Sequence, residues 1–112
     1  MTRRCSFIAI CLILAPVHTV LAEPSTQDVL DTLKQNTCLA CHRVDKKLLG
    51  PSFQSIYDAA PASPERAELL KTHIRGGSQG VWGPVAMPPN NKVSDADIEA
   101  IVRWILSGAP AE

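Results

Sequence analysis

Five consecutive residues constrain this chain more than any others: Cys38, Leu39, Ala40, Cys41 and His42. Two thiols three positions apart, followed at once by an imidazole, serve three known chemistries: a redox dithiol, half of a zinc site, or covalent attachment of haem. A thioredoxin-like dithiol needs a strand–helix–strand setting, and no segment here alternates apolar and polar residues as a strand does. A structural zinc site needs four ligands, usually from a second short-spaced Cys or His pair. Beyond the first 22 residues the chain has no further cysteine, and His73 is its only other histidine, so zinc fails on ligand count. Haem c fits directly. Thiols at this spacing reach two vinyl groups of one porphyrin edge and form thioethers, and the following imidazole then lies beneath the iron.

The N-terminus supports an exported protein. Arg3 and Arg4 precede an apolar run from Phe7 to Leu14, and Val20–Leu21–Ala22 offers the small-residue spacing of a signal-peptidase site. The run is shorter than the roughly 18 residues of a membrane span. Residues 1–22 are thus expected to be a cleaved signal peptide that takes Cys5 and Cys11 with it, and residues 23–112 a single domain. Two cysteines three apart are no disulfide framework. Loss of Arg3 and Arg4 from the eleven basic residues leaves nine against eleven acidic ones, and no basic run invites nucleic acid or an anionic membrane. A domain of this size buries a limited core, and a large apolar prosthetic group would supply missing volume.

The pattern along the domain is helical. Ser25 can cap a first helix whose apolar face is Val29, Leu30 and Leu33, and Asn36–Thr37 break it just before Cys38. Gly50–Pro51 marks a turn, with Phe53, Ile56 and Tyr57 suggesting a short helix after it. Ser63–Pro64 starts a third helix that turns Ala67, Leu70 and Ile74 inward and stops at Gly76–Gly77. Residues 76–93 are rich in glycine and proline and predict no regular structure. The last helix is capped by Ser94, carries Asp95, Asp97 and Glu99 near its positive end and closes at Gly108. Its Ile98, Ile101, Val102, Ile105 and Leu106 form one stripe. An all-α fold of about four short helices around one haem is the expectation.

What a haem does depends on its second axial ligand. Apart from the initiator, Met87 is the only methionine, in the proline-bounded loop Gly83–Pro84–Val85–Ala86–Met87–Pro88–Pro89. A methionine is usually a core filler. A lone one with no helical neighbours to pack against favours iron ligation instead. Trp104 is expected in the core, and His73 to be solvent-facing or partly packed.

The stretches "CLACH", "GPSF" with "IYDAA" after it, "IRGGSQGVWGPVAMPPN" and "VSDADIEAIVRWILS" resemble a class I cytochrome c, specifically the small bacterial cytochrome c-551 type, from Glu23 to about Gly108. The resemblance implies a mostly helical fold with first and last helices crossing, Cys38 and Cys41 as thioether cysteines, and His42 and Met87 as axial iron ligands. It further implies that the Pro51 carbonyl accepts a hydrogen bond from His42, that the indole N–H of Trp82 reaches a haem propionate, and that Asn90 sits near the Met87 sulfur.

The expected function is one-electron transfer by a periplasmic, monomeric carrier without a permanent membrane anchor, not an enzyme. Its partners would be transient: a membrane cytochrome complex on one side and a terminal oxidase or reductase on the other. Two rivals remain open, a haem subunit of a larger periplasmic enzyme and a gas-binding sensor whose Met87 is displaceable.

Overall fold

A computed structural model of the chain describes residues 22–112; the expected signal sequence, apart from Ala22, lies outside the described residues. Among the described residues four α-helices follow one another: α1 Thr26–Gln35, α2 Phe53–Asp58, α3 Pro64–Gly76 and α4 Asp95–Leu106. Among the described residues there is no strand, only one isolated antiparallel bridge between Ser78 and Met87. No helix among them is long and apolar enough to cross a membrane.

Each helix begins on a serine whose hydroxyl accepts a backbone N–H that the helix itself cannot satisfy. Ser25 takes that of Asp28, whose carboxylate in return accepts the Ser25 N–H, a complete capping box. Ser52 takes that of Ser55, Ser63 that of Arg66 and Ser94 that of Asp97. Pro64 occupies the first turn of α3, where its missing N–H costs nothing. Helices α3 and α4 run out into glycines with positive φ. Gly77 leaves α3 at φ 75° and Gly108 leaves α4 at φ 104°.

Helix α4 is the hub, packing against α1, α2 and α3. Its Ile98, Ile101, Val102, Trp104 and Ile105 are buried, and α1 adds Val29 and Leu33, α2 adds Phe53 and Ile56, and α3 adds Leu70. Each large apolar side chain removed from water there contributes roughly 1.5–3 kcal/mol. Trp104 is a core residue, its indole N–H donating to the Pro110 carbonyl at 3.1 Å, so its one polar atom is satisfied. Tyr57 and Leu69 stand largely exposed on the outer faces of α2 and α3.

Candidate functional site

Between α1 and residues 38–42 the chain reverses sharply. Asn36 caps α1, and Thr37 takes the left-handed backbone (φ 62°) that a non-glycine residue adopts only in tight turns. A single 3-10 turn, Cys38–Ala40, follows. The Cys38 carbonyl accepts the N–H of both Cys41 and His42, at 3.2 and 3.0 Å, which curls the pentapeptide on itself. The Arg43 guanidinium donates to the Leu39 carbonyl and, at 3.0 Å, to that of His42. The cysteines are free and half-buried. Burial pushes the Cys38 thiol up from its ordinary value, against a smaller opposing effect of its own backbone.

His42 is 8% exposed and held from several sides by the segment after Gly50. Its Nδ1 lies 2.7 Å from the Pro51 carbonyl oxygen. A carbonyl only accepts, so Nδ1 carries the hydrogen and the lone pair resides on Nε2. The ring stacks on Phe53 at 5.1 Å, and Phe53 in turn meets Trp104 edge-on at 5.2 Å, tying the imidazole to the hub helix. Backbone bonds run from Gly50 N–H to the Cys41 carbonyl (2.8 Å) and from Phe53 N–H to the Arg43 carbonyl (3.0 Å).

Across from this wall stands the loop after α3. Ser78 and Met87 exchange two backbone hydrogen bonds of 3.0 and 2.9 Å. Gly77 makes the pairing possible, because a Cβ there would stand 2.5 Å from the Met87 carbonyl oxygen. The far end of the loop is moored to α3: Asn90 N–H donates to the Ile74 carbonyl, and Arg75 donates to the Asn90 carbonyl, both at 3.0 Å.

The two walls enclose a cleft with about 1090 Å³ of empty space, counting its open mouth. Cys38, Cys41 and His42 line one side, Met87 and Val85 the other, and Leu33, Ile101 and Ile105 the floor. Phe53, Ile56 and Leu70 add to a lining that is overwhelmingly apolar. The donor set suits one group: two thiols, an imidazole with a free Nε2 lone pair, a thioether and apolar walls are what a covalently held haem needs. No cluster of three or more His, Cys, Asp or Glu suited to a metal ion exists among the described residues.

The remaining expected residues fall as follows. Trp82 lies at the cleft mouth, 41% exposed. Asn90 lines the cleft with its side chain committed to backbone; Oδ1 accepts the N–H of Lys92 and Val93, and Nδ2 donates to the Asn36 carbonyl at 3.4 Å. His73 is half-buried and lines the cleft, a neighbour the sequence reading did not assign to it. The signal was available, since His73 follows Leu70 by three positions and so shares its helix face. Arg66, which donates to the Ile56 carbonyl and joins α3 to α2, left no periodic trace in the sequence.

A helical domain wrapped on such a cleft defines a haem-binding electron-transfer protein. Residues 31–109 match the cytochrome c family, and the chain belongs to it. It is similar to cytochrome c-552 of Nitrosomonas europaea, with 46% identity over 77 residues, 69% of this chain and 75% of that protein. It is similar to cytochrome c-551 of Pseudomonas aeruginosa, with 36% identity over 97 residues, 86% of this chain and 92% of that one. The crystal structure of the Nitrosomonas europaea cytochrome superposes with a TM-score of 0.67 at 44% identity, covering 70% of this chain and 98% of that chain. The protein is a small class I cytochrome c of the c-551 type, with the all-α fold, covalent haem c and electron transfer rather than catalysis as its role.

Proposed function

We propose that the protein is a periplasmic single-electron carrier, exported by residues 1–22, in which Cys38 and Cys41 form the thioethers and His42 and Met87 the axial bonds. The observation that carries this reading is the convergence of both ligand residues on one apolar cleft, each with its backbone or ring already fixed. Haem bound there supplies a one-electron Fe(III)/Fe(II) couple.

The chain's own residues do the rest. The Pro51 carbonyl holds the hydrogen on Nδ1, which orients the ring and raises its basicity as a ligand. The Ser78 pairing fixes the Met87 backbone beside the cleft, and a ligand held in this way would limit reorganisation when an electron arrives or leaves. The apolar lining keeps water from the cleft and, with a thioether ligand, favours a raised potential. Trp82 and Asn90 are proposed to support the bound group, Trp82 through its indole N–H at the mouth and Asn90 through the loop end it ties to Asn36.

Leu49, Val81, Trp82 and Val85 expose apolar surface at the rim of the cleft. A partner would dock there briefly, in a contact under about 1,200 Å² as weak redox encounters have. Suitable partners are a membrane cytochrome complex and a terminal oxidase or reductase. The same rim would suit permanent attachment to a larger enzyme, and co-purification of the native protein in a stable complex would favour that second reading.

The test is absorption spectroscopy of protein matured in a host that attaches haem c, with acid–acetone extraction alongside. Haem that resists extraction, a sharp low-spin reduced spectrum and the weak far-red sulfur-to-iron band of the oxidised form are expected. A high-spin spectrum, or carbon monoxide binding to the reduced protein at neutral pH, would remove Met87 from the iron and move the protein toward gas sensing.

A further inference from the structure

Six glycines occur in the chain, and at four of them (Gly76, Gly80, Gly83 and Gly108) a Cβ would meet nothing within 4 Å among the described residues. Gly77 is crowded, but its φ of 75° with ψ 177° demands glycine for backbone reasons alone. Gly50 differs from all of these. Its φ lies outside the left-handed region that favours glycine, yet a Cβ would stand 2.7 Å from Cε1 of His42, 3.0 Å from Nδ1 and 3.2 Å from Nε2. The atoms it would strike all belong to one ring.

We infer that Gly50 is a positioning residue for the axial imidazole: its missing side chain lets the His42 ring take the orientation at which Nδ1 meets the Pro51 carbonyl. The inference rests on the reading of His42 as an iron ligand. Residue 50 cannot retreat freely, because its N–H donates to the Cys41 carbonyl at 2.8 Å and its carbonyl accepts the Leu48 N–H at 3.1 Å. A methyl group there would therefore displace the ring. The ring is also held by the 2.7 Å bond to Pro51 and by the Phe53 stack, so a displaced ring loses one or both. With the Pro51 bond weakened, the imidazole carries less electron density to the ferric state, and the reduction potential rises.

The test compares haem-loaded Gly50→Ala with Gly76→Ala, a substitution into open space at the end of α3. Both would be followed by reduction potential and by the haem-methyl NMR shifts of the oxidised form, which report the plane of the axial imidazole. Gly50→Ala is expected to shift the potential upward and rearrange the methyl shifts, while Gly76→Ala matches the parent in both. A purely structural role for Gly50 would lower stability and leave potential and methyl pattern unmoved; that outcome overturns the inference. Should Gly50→Ala yield no matured protein, the substitution is repeated beside Phe53→Leu, which opens room on the stacked face of the ring. The haem yield should then recover to that of Phe53→Leu alone, and continued failure where Phe53→Leu alone matures overturns the inference. Failure of the ligation reading would be visible separately, as a spectrum without imidazole ligation in the unsubstituted protein.

Discussion

On the wall that carries His42, residues 41–44 and 50–54 are laced together by backbone bonds, a ring-to-carbonyl bond and an aromatic stack that reaches the hub helix. On the wall that carries Met87, residues 78–90 make one two-bond pairing and two bonds back to α3, and Val81, Trp82 and Val85 stand exposed. Phe53 is 4% exposed where Val85 is 60% exposed. The histidine side is thus set by the fold itself. The methionine side is a loop given its backbone course by a few hydrogen bonds, with its side chains resting on whatever fills the cleft. A carrier gains from this division. The His42 ring is rigid by construction, and Met87 sits in a loop that the core does not depend on.

The strongest challenge to that contrast is Phe53→Ala. Phe53 links His42 to Trp104, and its loss should cost about 3–5 kcal/mol, the range for a buried phenylalanine cut to alanine. The measurement is the denaturant midpoint of the haem-loaded protein. A loss near that of a surface substitution would mean that the histidine wall is not anchored through the core.

The methionine wall is probed next by Arg75→Ala. Arg75 donates to the Asn90 carbonyl and pairs with the exposed Asp95, so the substitution should cost about 1.5–2 kcal/mol, nearly all from the charged hydrogen bond. Amide hydrogen exchange sharpens the point. Gly50 and Phe53 N–H groups should exchange more slowly than those of Ser78 and Met87 in the parent, and Arg75→Ala should widen the gap. Equal protection in the two segments would erase the distinction between the walls.

Much of this was legible in the chain because its signals are local. Ser25, Ser63–Pro64 and Ser94 mark helix starts through bonds spanning three residues, and Gly76–Gly77 and Gly108 mark ends. The stripe of α4 is buried as its spacing predicts, with Leu106 only partly covered. The cysteine pentapeptide narrowed the chemistry to three readings by residue type and spacing, and the lack of other ligands and of strand alternation in the rest of the chain left haem c. What stayed hidden depends on pairing across a loop or on long side chains. The Ser78–Met87 bridge lies in a stretch whose glycines and prolines predict irregular chain, which it is apart from that one pair. Arg43 and Arg66 satisfy carbonyls of neighbouring turns, and such reach carries no period to detect.

A smaller effect comes from the floor that both walls share. Ser94→Ala removes the hydroxyl that accepts the Asp97 N–H and should cost about 1 kcal/mol. Because α4 carries Ile101 and Ile105 into the cleft, exchange should quicken on both walls alike. A change confined to one wall would show that α4 does not serve them equally.

The least effect is expected far from the cleft, at the start of α1, and it supplies a baseline for the others. Hydrogen bonds from the Ser25 hydroxyl and then the Ser25 N–H hold the Asp28 carboxyl below its ordinary 3.8. A folded-state value below the unfolded one stabilises the protein fully above the unfolded value, and the contribution fades as pH falls through the lowered one. Asp28→Asn should therefore lower stability slightly at neutral pH and leave it nearly unchanged in acid well below 3.8, where the parent's carboxyl is protonated too. Acid titration of the unfolding midpoint for the two proteins reads this directly. Curves that converge toward low pH support the capping box as the source. Curves that stay parallel would assign the difference to packing of α1, and would connect its N-terminus to the core more tightly than the exposed carboxylate suggests.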